Sequence, residues 1–140
     1  MKKNRDVALI LLKNNEGKFL FQLRDKGIDC LSEHWGLFGG GVEVDESFDA
    51  AVRRETYEEL QYTLQNPVLL LEHDYELRVQ KKNRYGKYVL FIERYDNSKK
   101  LVQCEGQNMS WFTLDEVQNK KMWEFDKESL RIIKEKAEAF

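Results

Sequence analysis

Apolar and polar positions change rhythm several times along the chain, and each rhythm predicts an element. Val7-Ala8-Leu9-Ile10-Leu11-Leu12 is an apolar run of strand length, Asn14-Asn15-Glu16-Gly17 carries turn chemistry, and Lys18-Phe19-Leu20-Phe21-Gln22-Leu23 resumes an extended pattern. Together they predict a β-hairpin. Ser47 to Leu60 contains neither Gly nor Pro, and Asp45 or Ser47 is available as an N-cap, so a helix is expected there. Val68 to Val79 and Tyr85 to Tyr95 are rich in Val, Leu, Ile, Tyr and Phe and flank Lys81-Lys82-Asn83-Arg84, which predicts two long strands joined by a solvated basic turn. Leu101-Val102 and Met109 to Phe112 read as short strands, followed by helical segments at Thr113 to Val117 and Asp126 to Ala139. In the last of these, Leu130, Ile133, Lys134 and Ala137 recur at i, i+3, i+4 and i+7 and are expected to lay one stripe on the core. Helices inserted among mainly antiparallel strands make an α+β domain in which helices cover a sheet.

Composition narrows the classes of function. With 140 residues, of which 41% are hydrophobic, the chain supports one core, and residues 1–140 read as a single domain. Pro67 is the only proline, and no Gly/Ser-rich linker or internal repeat divides the chain. Lys and Arg number 23 against 25 Asp and Glu, a formal charge of -2, so there is no overall basic excess to draw the protein to nucleic acid or to an anionic membrane. No apolar run approaches the roughly 20 residues of a membrane span, and Val7 to Leu12 is short for a signal-peptide core and ends at Lys13. A cytoplasmic protein with no membrane partner is the expectation. Cys30 and Cys104 are then expected as free thiols, Cys104 as a small buried side chain. His34 and His73 have no second His or Cys at ligand spacing and read as loop or strand-surface residues.

The chemistry concentrates in Gly39-Gly40-Gly41-Val42-Glu43-Val44-Asp45-Glu46 and the helix that follows. Glu55, Glu58 and Glu59 are related by i+3 and i+4 and so share one helical sector, into which Phe48, Ala51 and Val52 also point one and two turns earlier. Like charges at that spacing destabilise a bare helix, and carboxylates near its C-terminal end oppose the macrodipole. Arg54 offsets part of this through its i+4 relation to Glu58. Three inward-facing carboxylates otherwise suit a hard divalent cation, whose ligands are oxygens. The adjoining glycines let the backbone turn sharply and approach a ligand closely.

Gly40, then five residues, Glu46, then seven residues, and Arg54-Glu55-Thr56-Tyr57-Glu58-Glu59 resembles the Nudix box, G-x5-E-x7-R-E-U-x-E-E-x-G-U with U a bulky apolar residue. Every charged position is filled. Thr56 stands where an apolar residue is usual, and Gln61 stands where the box has Gly, at a cost of about 1 kcal/mol if the helix ends there in a left-handed conformation. Trp35 to Gly40 resembles the family's lead-in, with Phe38 where proline is common, and Glu105-Gly106-Gln107 resembles the segment that often carries a further metal-binding Glu.

This resemblance implies an α/β/α sandwich around a mixed sheet, Mg2+ or alternatively Mn2+ as cofactor, and hydrolysis of a nucleoside diphosphate linked to another moiety. It implies Glu58 and Glu59 as core metal ligands, Glu55 and Glu105 as further ligands or bases, and the Gly39 carbonyl as a backbone ligand. Arg54 would orient the carboxylates, Glu46 and Gly40 would support the junction of loop and helix, and the general base would be one of Glu55, Glu59 and Glu105. Lys121 to Asp126 resembles the purine-reading segment of Nudix enzymes that clean oxidised nucleotide pools. There Trp123 would stack on a base and Asp126 would bond to its edge, unless Trp123 packs the last helix onto the sheet and Asp126 is its N-cap. A purine nucleoside triphosphate, oxidised forms included, is thus narrowly favoured as substrate. Two alternatives stay open: a non-catalytic nucleotide-sensing module, expected to have lost some of the four box residues, and an RNA 5′-end pyrophosphohydrolase that would use the basic Lys81 to Lys87 segment.

Overall fold

The structure, a computed structural model, describes residues 3–23, 34–79, 82–104, 108–120 and 127–140. The apolar run Val7–Lys13 forms β2, the strand around which the fold is built. It is buried on both faces, as its lack of polar alternation requires. Asn14 makes the turn after it, its Oδ1 accepting from the N–H groups of Glu16 and Lys18, and Gly17 takes the left-handed conformation (φ 74°) that closes the turn. Phe19–Leu23 then returns as β3, antiparallel to β2.

Further along come the short strand Trp35–Gly36 (β4), the strand Phe38–Gly41 (β5) and the helix Phe48–Leu60 (α1). The predicted long pair is present as Val68–Val79 (β6) and Lys82–Arg94 (β7), antiparallel, but Lys82, Asn83 and Arg84, expected in the turn, pair with Val79, Arg78 and Leu77 as part of β7, and an extra residue stands at Leu70 between the pairs Leu69 to Phe91 and Leu71 to Leu90. Asn108–Phe112 is β8, and Leu114–Val117 and Lys127–Glu138 are α2 and α3. Lys3–Asn4 adds a first short strand, β1. The sheet runs β1-β7-β2-β3-β4, with β6 on β7, β8 on β3 and β5 on β2. It is mixed: β7 is parallel to β1 and β2, and the remaining pairs are antiparallel.

Alternation along the central strands sorts the core into two halves. Leu9, Leu11, Phe19, Phe21, Leu90 and Ile92 face α2 and α3, meeting Leu114, Val117, Leu130, Ile133 and Ala137. Ala8, Ile10, Leu12, Leu20, Val89 and Phe91 face the other way, against Ala51, Val52 and Leu60 of α1. Helices therefore cover both faces of a mixed sheet, the sandwich that the sequence led us to expect.

Three further local expectations are corrected. Leu101-Val102 is not a strand: the Val102 and Cys104 N–H groups turn to the last carbonyls of α1, bonding Leu60 O (3.0 Å) and Glu59 O (2.8 Å). A helix C-terminus leaves such carbonyls open, and they outcompete sheet pairing here. Lys134 leaves the apolar stripe of α3 and pairs with Asp115 at 2.7 Å, where its charge is matched. Cys104 is exposed rather than buried. Its segment lies over the helix end, outside the core. Cys30 lies outside the described residues, whereas His34 and His73 are half-exposed, His73 on β6.

Candidate active site

Ser47, not Asp45, begins α1. Its Oγ accepts from Ala50 N at 3.0 Å, while Asp45 sits two residues earlier in a left-handed conformation (φ 63°). The helix ends at Gln61, which takes the left-handed conformation (φ 52°, ψ 35°) and bonds Tyr57 O. This is the geometry a glycine would adopt freely.

Between these ends, Arg54 gathers the carboxylates. Its Nε and Nη2 grip both oxygens of Glu46, at 2.8 and 2.9 Å, and Nη2 also donates to Gly41 O at 3.0 Å. Nη1 reaches Glu55 at 3.0 Å and Glu58 at 3.4 Å. Glu46 in turn accepts from Glu43 N at 3.0 Å, so one guanidinium and one carboxylate tie strand end, loop and helix together. Hydrogen bonding to Arg54, supplemented by the bond from Glu43 N, holds the Glu46 carboxyl at about 2, well below its ordinary value of 4.5. The same hydrogen bond raises Arg54 above its ordinary range.

The glycines set how close the helix comes. Glu59, only 2% exposed, accepts from Gly39 N at 2.8 Å. Gly39 has φ 136°, and a Cβ there would lie 2.1 Å from Ala8 O, so no other residue fits. At Gly40 a Cβ would meet the Glu55 carboxylate at 2.6–2.7 Å. Glu55 and Glu59 can thus lie directly against the backbone of β5 because two successive residues have no side chain. Thr56, between them, is fully buried, and its Oγ1 finds no hydrogen-bond partner among the described residues.

Gly39, Gly40, Glu46, Arg54, Glu55, Glu58 and Glu59 are therefore brought together along the side of α1 that meets β5 and the loop after it. Glu105, Trp123 and Asp126 lie outside the described residues. The residue before Glu105 is nevertheless fixed, since Cys104 N is bonded to Glu59 O. Sequence reasoning missed the Gly41 carbonyl as an Arg54 acceptor; a third consecutive glycine was the only signal for it. Among the described residues no group of three His, Cys, Asp or Glu is arranged as a metal centre: Arg54 holds Glu55 and Glu58, and Glu59 is turned to Gly39 N. The donors are nonetheless all oxygens, set beside a strand that carries no Cβ at Gly40, and this chemistry fits a hard divalent cation.

Comparison with known proteins agrees with this arrangement. The NUDIX domain family matches residues 3–132. The chain belongs to the Nudix family. A curated relative, the RNA pyrophosphohydrolase of Methylococcus capsulatus, is 32% identical over 105 residues, covering 75% of this chain and 47% of the relative. The chain thus spans about half the length of that curated relative. Among solved structures, the MutT protein of Methanosarcina mazei superposes with a TM-score of 0.74 at 23% identity, covering 99% of this chain and 95% of its own. An Ap4A hydrolase of C. elegans gives 0.72 at 20% identity, covering 98% of each chain. These likenesses establish the fold. Nudix hydrolases generally need divalent metal ions.

Proposed function

We propose that this Nudix domain is an Mg2+-dependent pyrophosphohydrolase that cleaves a nucleoside diphosphate linked to another moiety, with a purine nucleoside triphosphate, oxidised forms included, as the favoured substrate. The observation that carries this reading is the face Glu55, Glu58 and Glu59, the first two held by Arg54 and the third by Gly39 N, beside the side-chain-free backbone of Gly39 and Gly40. Glu58 and Glu59 would hold the cation with Glu55, and Glu105 and the Gly39 carbonyl would complete the oxygen set. A bound divalent ion neutralises the phosphates and lowers the pKa of the attacking water. The chain's own task is positional. Arg54 keeps Glu55 and Glu58 from splaying apart, and Glu46 keeps Arg54 aimed. Glu55, Glu59 or Glu105 then takes the proton from water. The bond from Cys104 N to Glu59 O supports Glu105 as a member of the set, because it anchors the chain one residue before it. Trp123 stacking on the base, with Asp126 at its edge, is the basis for favouring a purine.

A second reading, removal of pyrophosphate from an RNA 5′ end, is supported by the name of the Methylococcus relative and by the basic Lys81 to Lys87 segment. The overall charge of -2 weighs against it. A purely sensing module is disfavoured because Arg54, Glu55, Glu58 and Glu59 are all retained and the three described carboxylates all converge on Arg54 or Gly39.

The test is a panel of nucleoside triphosphates, oxidised nucleotides, dinucleoside polyphosphates, nucleotide sugars, ADP-ribose and a 5′-triphosphorylated RNA oligonucleotide, each assayed with Mg2+. Turnover that requires the metal is expected, and Glu58→Gln or Glu59→Gln should lower kcat by at least about 100-fold on the best substrate. Unchanged turnover in both variants would remove the assignment of the site. Preference for the RNA would replace the nucleotide reading.

A further inference from the structure

Outside the carboxylate cluster, one charged group lies against the same glycine strand and takes no part in the interactions described so far. Arg5 follows β1, and its guanidinium covers Gly41: a Cβ on that glycine would come within 2.8 Å of Arg5 Nε and 3.0 Å of Nη2. Gly41 pairs with Val7, whereas Gly40 pairs with Ala8, so the two glycines present opposite faces of the sheet. Glu55 lies over Gly40 on the α1 face, and Arg5 lies over Gly41 on the other.

The backbone of Arg5 is fixed. Its N–H donates to Tyr85 O at 3.0 Å, and its carbonyl accepts from Tyr75 Oη. Gly86 allows that approach, since a Cβ there would be 2.2 Å from Arg5 O. Next to it, Asp6 O accepts from Val42 N and Asp6 Oδ1 from Lys87 N, which ties the segment to both sides of the strand end. Yet the Arg5 guanidinium is exposed, and among the described residues no carboxylate pairs with it. Arg54, by contrast, is fully engaged with its own carboxylates and has little left for an incoming anion.

We infer that Arg5 is a substrate-positioning residue that binds the phosphate chain where it crosses the end of β5. This rests on the pyrophosphohydrolase reading above and adds a residue to it. A polyphosphate approaching Glu55, Glu58 and Glu59 meets negative charge, and it needs a fixed cation besides the metal to be held in register. A guanidinium suits the task because its fork matches two phosphate oxygens at once. The absence of a side chain at Gly41 is what lets that fork lie against the loop.

The test uses the full chain with GTP and with inorganic tripolyphosphate, the second to separate phosphate recognition from base recognition. Binding is measured by calorimetry in EDTA, where no metal-dependent turnover occurs, and kcat and KM for GTP are measured with Mg2+. Arg5→Gln is expected to raise both Kd values and KM by about tenfold or more, with a much smaller change in kcat. Arg5→Lys should recover part of the loss. Gly41→Ala pushes the guanidinium aside without altering its charge and should raise the same constants, and the double variant should lose no more than the larger single effect. Three results overturn the proposal: Kd and KM unchanged in Arg5→Gln, a lowered melting temperature with Kd intact, or a wild-type chain that binds neither probe. If the chain binds both probes through Arg5 and hydrolyses nothing on the panel, the hydrolytic reading fails and the phosphate site stands. Metal-dependent turnover indifferent to Arg5 is the converse.

Discussion

Thr56 shows how a single residue can be permitted by its helix and penalised by its surroundings. It takes the place of a usual apolar residue of the Nudix box, its side chain is fully buried, and its hydroxyl is unmatched among the described residues. A buried hydroxyl without a partner costs more than an isosteric methyl, which needs none. Thr56→Val keeps the shape and the branching at Cβ, and it is expected to raise stability by about 1 kcal/mol, read as a higher denaturation midpoint. A lower or equal midpoint would mean that the hydroxyl is satisfied. The box in the sequence showed that Thr56 was out of pattern. That this residue is fully enclosed depends on how α1 seats on Ala8, Ile10 and Phe91, which no local pattern reports.

At the scale of elements, α1 was legible almost to its ends, because thirteen residues without Gly or Pro sit between a good N-cap and an abrupt change of pattern. Which residue capped it was less so: Asp45 and Ser47 both suit the role, and only the turn geometry chooses Ser47. The other end carries a cost the sequence did announce. Gln61 is left-handed at φ 52°, and Gln61→Gly should relieve about 1 kcal/mol of backbone strain, visible as a raised melting temperature with the helix content unchanged. A fall in melting temperature would show that the contact of Gln61 with Cys104 Sγ, at 3.8 Å, outweighs the strain. Strand β5 was not foreseen as a strand at all, since three of its four residues are glycine and propensity argues against it. It is held by pairing with β2 and by side chains that come from elsewhere, chiefly Glu59 and Arg54. The segment at Leu101 failed for the opposite reason, its apolar pair suggesting a strand while the open carbonyls of α1 claimed its N–H groups.

For the molecule as a whole, hydrogen bonds shift three carboxyls among the described residues in one direction. Arg54 holds the Glu46 carboxyl at about 2, the hydroxyl and N–H of Ser98 lower Asp96, and the capping contacts of Thr113 lower Glu116. A carboxyl whose folded pKa lies below its unfolded one contributes stability above the unfolded value and loses it as pH falls through the folded value. For Glu46 that window runs from 4.5 down to about 2. Melting temperature should therefore hold at neutral pH and fall steadily across that window, and Glu46→Gln should flatten much of the slope. A slope identical in the variant would show that other carboxyls carry the acid sensitivity.

The parallel ladder between β2 and β7, in which Val7 stands opposite Tyr88, has a consequence for how the chain comes into being. During synthesis the entire Nudix box is made before β7 exists, and until then one edge of the most apolar strand has no partner. The glycine strand can pair and α1 can form, but the scaffold that fixes them waits on residues made much later. Contacts so distant along the chain close slowly, and a bare apolar edge is an invitation to pair with a stranger. The nascent catalytic half therefore depends on the distal hairpin for protection as well as for shape, and the interval before that hairpin emerges is when this protein is most exposed to misassembly.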